Sequence, residues 1–518
     1  MPPHAVNESS DASPSQPSSA GWLHWLTLFL LLAATGGARF YCLACKPFWF
    51  DEAFSVEVAR IDWRSFLHLM WWREANMSLY YLLLRIWLLF GHSPFFVRSL
   101  SAAISMATLP AIYWVGRLLY DRRVALIAAG VFAFNAYSIR YAQEARSYAL
   151  FVLLATLSSG FFISFLRTPT RRTSMAYVAV STFAVYAHFY ALLLIAAHWL
   201  SVRWSGIPAR TSDLSSEQTL RQMRRAWIVI GIAVLPLLVF VGKTGAGPIK
   251  WISRPGIADL WRLSFDFTNG LAPIYFLTCL LALVPVRKGL LARRGDWHSW
   301  RVRFLIFWLL FPIVLTVLLS FARPVFLARY MIFCIPGLLI LSAAGLSSLR
   351  PSWLSGTCAA VVLLLSAHFV PFVYGHDFDN ERDASGAATN FIFDHAQAGD
   401  GIIFHIAETR VPYEFFRSLR EGTNDAKPEI TGGLGPEILF PRHGPGLDYR
   451  DFTGKPTEEL ARAESGKHSR MWLMLMNNGP AQNPDPTTIL LTRILPEYLP
   501  RMQRWEFARV EIRLYSKY

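Results

Sequence analysis

The stretch KPFWFDEAFSVEVARID, residues 46–62, places two adjacent carboxylates, Asp51 and Glu52, just after an apolar run of membrane-spanning length. That run, residues 22–44, is too long for the core of a signal peptide, and no convincing cleavage site follows it, so it predicts an uncleaved first span. Aromatic residues flank the pair on both sides. A desolvated carboxylate suits a general base, whereas an acid at a membrane exit is otherwise an ordinary solvated loop residue. The rest of the chain decides between these two interpretations.

Composition predicts an α-helical polytopic membrane protein. The 518 residues are 53% hydrophobic and only 16% charged, whereas soluble domains carry about 25% charged residues. The apolar residues are concentrated in repeated runs of the length that spans a bilayer. The net charge is +15, but the basic residues cluster in short loops between these runs, as the positive-inside rule predicts. This pattern argues against nucleic acid as a partner.

The hydrophobic runs predict about eleven transmembrane helices. They cover residues 22–44, 99–119, 123–140, 148–166, 174–187, 188–204, 226–242, 272–286, 304–320, 330–349 and 354–373. The apolar stretch SLYYLLLRIWLLF, residues 78–90, is short for a span and contains Arg85. We therefore expect a juxtamembrane or re-entrant helix there.

The basic loops predict the orientation of the chain. If residues 78–90 do not cross, four strongly basic loops share one side with the Ser- and Pro-rich tail 1–20, which is expected to be disordered. These loops are residues 120–123, 167–172, 202–225 and 286–303. That side is predicted to be cytoplasmic. The first large loop, 45–98, with Asp51 and Glu52, then lies outside the cytoplasm.

The composition changes to that of a soluble domain after the transmembrane region 21–373. The segment ASGAATNFIFDHAQAGDGIIFHI predicts a helix, a turn at Gly399 and Gly401, and a buried strand. RMWLMLMNN predicts a second buried strand, and RWEFARVEIRLYSKY predicts terminal strands. Residues 374–518 are therefore expected to form an extracytoplasmic α/β domain of ordinary size.

A second acidic position lies in YAQEARSYAL, where Glu144 and Arg146 precede Tyr148 and interrupt apolar sequence between two spans. Ionisable residues at membrane depth usually face a cavity or a partner. The alternative is a plain interhelical turn with a surface pair between Glu144 and Arg146.

Cationic residues are predicted on the same side of the membrane. Lys250 lies in the glycine-rich loop GKTGAGPIKW, and Arg323, Arg329 and Tyr330 lie in FARPVFLARYMIF. Arginine suits phosphate because it offers paired donors, although such residues also contact lipid head groups. His188 falls at a predicted span junction on that side.

Carboxylates and phosphate-binding cations on one side suggest group transfer from a phosphate-linked donor. No P-loop is evident, and extracytoplasmic compartments generally lack nucleoside triphosphates. A lipid phosphate, supplied by the bilayer, meets this requirement.

These motifs resemble the GT-C glycosyltransferases that use polyprenyl-phosphate-linked sugars, in particular the bacterial protein O-mannosyltransferase and lipid A aminoarabinose transferase group. The resemblance covers roughly residues 20–350. It is carried by FDEAFS after the first span, SLYYLLLRIWLLFG followed by FFVRSLSAAIS, YDRRVALIAAGVFAFN, YAQEARSYAL and ARYMIFCIPGLLIL. It implies a multi-pass protein of the bacterial inner membrane that transfers a sugar to an extracytoplasmic glycan, lipid or protein with inversion.

The resemblance implies roles for individual residues. Asp51 would be the catalytic base, with Glu52 beside it and Glu144 as the second-loop acid. Arg329 would lie near the lipid phosphate. Relatives often have a His-Pro-Pro or Lys-Pro-Pro triplet where this chain has Asn76, Met77 and Ser78. The cation missing there would be replaced by Arg73, Lys250 or Arg329.

Two alternatives remain open at this stage. A lipid or polysaccharide transporter, or flippase, also has many spans and buried charges, but it often has inverted repeats, and none is evident here. A non-catalytic partner in cell-envelope polysaccharide assembly is the other. The family includes members that employ a divalent cation and members that do not, so metal use is open, as are the sugar and the acceptor.

Overall fold

The computed structural model describes residues 19–206, 216–244, 252–287, 296–375, 383–421, 435–441, 447–476 and 485–518. Lys250, most of the predicted tail 1–20 and parts of the basic loops 202–225 and 286–303 lie outside these ranges. The first eleven helices are α1 (Ser19–Phe40), α2 (Phe50–Arg60), α3 (Trp63–Trp72), α4 (Ser78–Trp87), α5 (Pro94–Leu119), α6 (Arg122–Ala133), α7 (Ala136–Ala142), α8 (Tyr148–Arg167), α9 (Arg171–Ala187), α10 (Ala191–Ser205) and α11 (Ser216–Thr244). The remaining helices are α12 (Ile257–Phe267), α13 (Ala272–Leu283), α14 (Trp297–Ala322), α15 (Ile335–Ser348), α16 (Ser352–His368), α17 (Val370–Tyr374), α18 (Ser385–His395), α19 (Arg410–Glu421), α20 (Glu458–Lys467) and α21 (Pro486–Tyr498). The strands are β1 (Gly401–Phe404), β2 (Glu437–Phe440), β3 (Arg470–Met476), β4 (Arg501–Phe507) and β5 (Val510–Ser516).

The helical part of the chain is that of a polytopic membrane protein. Within the described ranges, seven helical segments are long and apolar enough to cross a bilayer, and two bent pairs, α6–α7 and α12–α13, raise the number to nine. The eleven predicted spans exceed nine because they include α9 and the short apolar helix α10. Helix α4 has only ten residues, which agrees with the expectation that residues 78–90 do not cross.

The bend between α6 and α7 is held by polar side chains from other helices. The two axes meet at 59°, so carbonyl groups at the break lose their helical partners. Arg39 of α1 donates to the carbonyl oxygens of Phe132 and Ala133 at 3.2 and 3.1 Å. The side chain of Asn269 accepts from the N–H of Ala136 at 2.9 Å, and Asn135 donates to a carbonyl at the end of α12. Backbone groups at membrane depth require such partners, and these bonds fix the start of α7.

The C-terminal residues form a five-stranded sheet in the order β2-β1-β3-β5-β4. Strand β1 runs parallel to β2 and β3, whereas β3–β5 and β5–β4 are antiparallel. Helices α18 and α19 contribute to the core on one face, and α20 and α21 to the core on the other. The α/β class expected from the sequence is confirmed, and the strands β1, β3, β4 and β5 fall where the sequence placed them. Strand β2 had no counterpart in that prediction.

The α/β domain rests on the loop that follows the first span. Phe48 stacks on Phe415 of α19, with ring centroids 4.5 Å apart. The His68 ring of α3 lies 3.9 Å from that of Tyr449. Arg73, just after α3, forms an ion pair with Glu408. The domain therefore contacts the chain just before α2, the helix that carries Asp51 and Glu52, and also α3 and the residue that follows it.

Candidate active site

Glu52 is an anchor of the first loop. Its side chain is fully buried, and its two carboxylate oxygens each accept from Arg98 of α5 at 2.7 Å. One of these oxygens also accepts from the N–H of Ala145 at 3.0 Å. Arg98 in turn donates to the carbonyl oxygens of Leu43, Lys46 and Pro47. This bidentate pair joins the end of the first span, the start of α2 and the turn after α7.

Asp51 faces a different environment. It precedes Glu52 in the first turn of α2, and successive helical residues point about 100° apart because a turn contains 3.6 residues. Its side chain is 21% exposed, and its Oδ2 lies 3.7 Å from Nη2 of Arg146. Arg146 also approaches the Asp51 carbonyl oxygen at 3.4 Å. The hydrogen bond from Ala145 to Glu52 holds the turn after α7. The next residue of that turn, Arg146, thereby faces Asp51.

Arg329, Tyr330, Tyr148 and His188 surround the same place. Arg329 and Tyr330 lie in the 3₁₀ turn Ala328–Cys334, and Arg329 lies within electrostatic reach of the Asp51 carboxylate. The His188 ring centroid lies 4.7 Å from that of Tyr330 and 6.4 Å from that of Tyr148. The sequence motifs that carry these residues are far apart in the chain, and the fold brings them together.

His188 is buried among aromatic side chains. Its ring stacks on Phe151 at 4.9 Å, and its Nδ1 accepts from the N–H of Tyr190 at 3.3 Å. His188 therefore contributes an aromatic ring and a hydrogen-bonding group to this region.

Glu74 is a further carboxyl group near Asp51, and sequence reasoning missed it. It lies between α3 and α4, and burial raises its pKa to about 7. The charges of Arg73 and Arg146 oppose that rise, whereas the charge of Asp51 adds to it. The available signal was its place in the first loop, four residues before the LYYLLL helix.

The remaining predicted site residues are distributed more widely. Glu144 is 2% exposed, and its charge acts on the hydroxyl groups of Tyr80 and Tyr141. Arg323 ends α14 and is exposed. Of the three cations expected to replace that of the Pro-Pro triplet, Arg73 pairs with Glu408, Lys250 lies outside the described residues, and Arg329 stands beside Asp51. Asn76 accepts from the N–H of Phe189 at 3.1 Å.

Across the part of the chain that the structure describes, no three His, Cys, Asp or Glu side chains come together as a set that could hold a metal ion. Cys42 and Cys45 form a disulfide at the end of the first span.

The helical bundle, the first-loop helices beneath an α/β domain and the cluster around Asp51 define a GT-C fold. Two solved structures of ArnT from Cupriavidus metallidurans share it over nearly their whole length. The apo structure has a TM-score of 0.58 and 11% identity, covering 97% of this chain and 99% of ArnT. The structure bound to undecaprenyl phosphate has a TM-score of 0.55 and 13% identity, covering 96% and 98%.

The archaeal oligosaccharyltransferase AglB from Archaeoglobus fulgidus, in complex with an inhibitory peptide and a dolichol-phosphate, is a more distant match. It has a TM-score of 0.50 and 9% identity, covering 82% of this chain and 62% of AglB. No family model matches the chain, and no curated protein sequence matches it. The fold expected from the sequence resemblance is thus confirmed by structures of low sequence identity.

Proposed function

We propose that the protein is an integral membrane glycosyltransferase that takes its sugar from a polyprenyl-phosphate-linked donor and passes it to an extracytoplasmic acceptor. The observation that carries the proposal is the partly exposed Asp51 carboxylate beside two cations, Arg146 and Arg329. The undecaprenyl phosphate bound to ArnT and the dolichol-phosphate bound to AglB support a lipid phosphate as the carrier.

Asp51 acts as the general base in this proposal. Its carboxylate takes the proton from an acceptor hydroxyl, whose oxygen attacks the anomeric carbon of the donor sugar. The bond between that carbon and the phosphate oxygen breaks, and the lipid phosphate leaves with the electron pair. One displacement inverts the anomeric configuration. General-base catalysis typically contributes 10²- to 10⁴-fold in rate.

Arg329 and Arg146 stabilise the charge that develops on the leaving phosphate. Hydrogen bonds from arginine to phosphate are charge-assisted and strong, and they strengthen further where water is excluded. Tyr148 and Tyr330, with His188, form the aromatic wall of this region and limit access of water, which would otherwise hydrolyse the donor.

Glu52 and Glu144 have supporting roles in the proposal. Glu52 is turned away from Asp51, so it acts by positioning α2 and the turn that carries Arg146 rather than by proton transfer. Glu144 belongs to that same turn and is buried behind it. Arg323, which is exposed, remains a candidate for contact with lipid head groups.

The proposed setting is the bacterial inner membrane, with the N-terminus in the cytoplasm. Residues 45–98 and the domain 374–518 would then lie outside the cytoplasm, as the basic loops indicate. The contacts of the α/β domain with Phe48, just before α2, and with His68 of α3 support a position on the same side as Asp51.

The test is transfer by the purified full-length protein from radiolabelled polyprenyl-phosphate sugars to extracted envelope acceptors. Asp51→Asn should insert and fold normally yet lose 10²- to 10⁴-fold in turnover. Asp394→Asn, an exposed carboxylate of the α/β domain, is the control and should transfer normally. Near-normal transfer by Asp51→Asn, or retention of the donor's anomeric configuration in the product, would rule out this mechanism.

A further inference from the structure

Helices α9 and α11 pack side by side, and α9 begins at the end of the bundle away from Asp51. Trp227 of α11 donates to the hydroxyl of Tyr177 of α9 at 3.2 Å. Farther along, the hydroxyl of Tyr186 donates to the carbonyl oxygen of Ala233 at 3.0 Å. Residue numbers rise together along both helices, so the helices run in the same direction, and the start of α9 lies beside the second and third turns of α11.

A cavity of about 490 Å³ lies between the first turns of α9 and the segment of α11 that begins at its second turn. Its polar end is lined by Arg171 and Ser174 of α9 and by Gln222 and Arg225 of α11, and apolar residues, Val229 among them, continue the lining along the helices. None of its described lining residues is acidic. The cavity therefore pairs a cationic end with an apolar channel.

The electrostatics of this end favour an anion. The N-terminus of a helix carries a partial positive charge, and here the N-terminus of α9 adjoins two arginine side chains. The basic loops 167–172 and 202–225, predicted to lie in the cytoplasm, lead into the same helices. Clusters of arginine and lysine at a cytoplasmic membrane surface attract anionic lipid head groups.

The apolar channel opens to the outside of the bundle. Met175 and Val229 line it and are 59% and 49% exposed. Helix α11 is a candidate membrane span, and only 28% of its apolar window is buried inside the protein. Such a surface faces acyl chains when the protein is in a bilayer, so a lipid tail can run along it without leaving the hydrocarbon.

The cavity is separate from the candidate active site. Helix α9 has 17 residues and its far end leads into His188, and a helix of that length spans about 25 Å. A phosphate at Arg171 is therefore nearly a bilayer's thickness from Asp51 and is not the phosphate of a reacting donor.

We propose that the groove between α9 and α11 is a binding site for an anionic glycerophospholipid of the cytoplasmic leaflet. Arg171, Arg225 and Gln222 bind the phosphate head group, and an acyl chain lies over Met175 and Val229. The lipid bridges the first turn of α9 and the second and third turns of α11, and it strengthens their contact from outside the bundle.

The experiment uses the full-length protein in detergent, with bound lipids counted by native mass spectrometry during titration with phosphatidylglycerol, phosphatidylcholine or undecaprenyl phosphate. Wild-type protein should bind phosphatidylglycerol in preference to phosphatidylcholine. Removal of two cations in Arg171→Gln/Arg225→Gln should weaken phosphatidylglycerol binding about 30-fold, since each arginine near an anionic head group contributes about 1 kcal/mol.

Two further variants keep the test decisive. Arg117→Gln/Arg122→Gln removes two exposed arginines where α5 meets α6 and should bind the lipid as the wild type does. Met175→Trp retains both cations but fills the channel, and should also weaken binding. Equal phosphatidylglycerol affinity in the wild type and both groove variants would overturn the proposal. So would an equal loss in the control, or a loss confined to undecaprenyl phosphate, which would make the groove a carrier site.

Discussion

Asp51 and Glu52 are adjacent carboxylates in one helical turn, yet the fold gives them opposite environments. Glu52 is fully buried, with two bonds of 2.7 Å to Arg98. Asp51 is 21% exposed and lies 3.7 Å from Arg146. The difference arises because one residue along a helix rotates the side chain by about 100°, which here separates the packed interior from an accessible surface.

The two environments predict different consequences of mutation. Breaking a buried ion pair by neutralising one partner typically costs 3–5 kcal/mol, because the other charge stays buried. A partly exposed pair at 3.7 Å is worth about 0–1 kcal/mol. The Glu52 carboxylate therefore serves stability, and the Asp51 carboxylate is available for chemistry.

The largest effect on stability is expected for Glu52→Gln. The change leaves the Arg98 guanidinium buried beside a neutral amide, so the free energy of unfolding should fall by about 3–5 kcal/mol. Thermal denaturation of the purified protein in detergent, monitored through the loss of monodispersity, measures this fall in stability.

Asp51→Asn is the matched comparison, since it makes the same chemical change one residue earlier. The midpoint of its thermal denaturation should stay close to that of the wild type. If both variants were destabilised equally, the contrast between the buried Glu52 carboxylate and the accessible Asp51 carboxylate would be wrong.

The surroundings of Asp51 were predicted from the sequence better than the surroundings of Glu52. Arg146 was found because charged residues interrupt apolar sequence there, and Arg329 because arginine suits phosphate. Whether these residues carry the reaction stays a prediction, but the structure brings Arg146 to 3.7 Å from Asp51.

Arg98 shows why the surroundings of Glu52 were not predicted. In sequence it is an arginine near the start of a span, a place where arginines usually contact lipid head groups. Its partner Glu52 lies 46 positions away, and only tertiary structure brings them together. The sequence placed the helical segments and four strands by periodicity, and its eleven spans exceed the seven to nine candidates of the described residues because it counts α9 and α10.

The buried carboxyl group of Glu74 predicts how stability near Asp51 depends on pH. Burial raises its pKa from 4.5 to about 7, and burial does the same for Glu57. A raised carboxyl pKa means that the folded protein holds the proton more tightly than the unfolded chain. Stability should therefore fall as pH rises from about 4.5 to 7, by at most about 1.4 kcal/mol per pH unit for each group, and Glu74→Gln or Glu57→Gln should reduce the slope.

Donor binding separates these two glutamates. Ionised Glu74 adds negative charge beside Asp51 and Arg146, where an anionic donor is proposed to bind, so the KM for the donor should rise as pH increases through 7. Glu74→Gln should abolish this inflection, and Glu57→Gln, whose carboxylate pairs with Arg60 at 3.2 Å, should retain it. An inflection that survives in Glu74→Gln would place Glu74 outside the site.

The smallest expected effect concerns how the α/β domain holds Asp51 in place. The residue before α2, Trp49, provides no side-chain cap. Instead, Asp383 of the C-terminal part accepts from the N–H of Phe50 at 2.8 Å, across 333 positions of sequence. Loss of a helix cap typically costs about 1 kcal/mol. Asp383→Ala should lower stability by about that amount and, because it frees the turn that carries Asp51, should also lower kcat several-fold.

Asp485→Ala is the control because it removes a cap of the same kind from α21, where Asp485 accepts from the N–H groups of Thr487 and Thr488. It should lower stability to a similar extent with kcat unchanged. Asp383→Asn retains an acceptor oxygen and should restore most of the activity that Asp383→Ala loses. A small displacement of a catalytic group can reduce a rate far more than it reduces stability. Equal kcat in Asp383→Ala and Asp485→Ala would instead show that α2 holds Asp51 without help from the α/β domain, with the buried Glu52–Arg98 pair as its sufficient anchor.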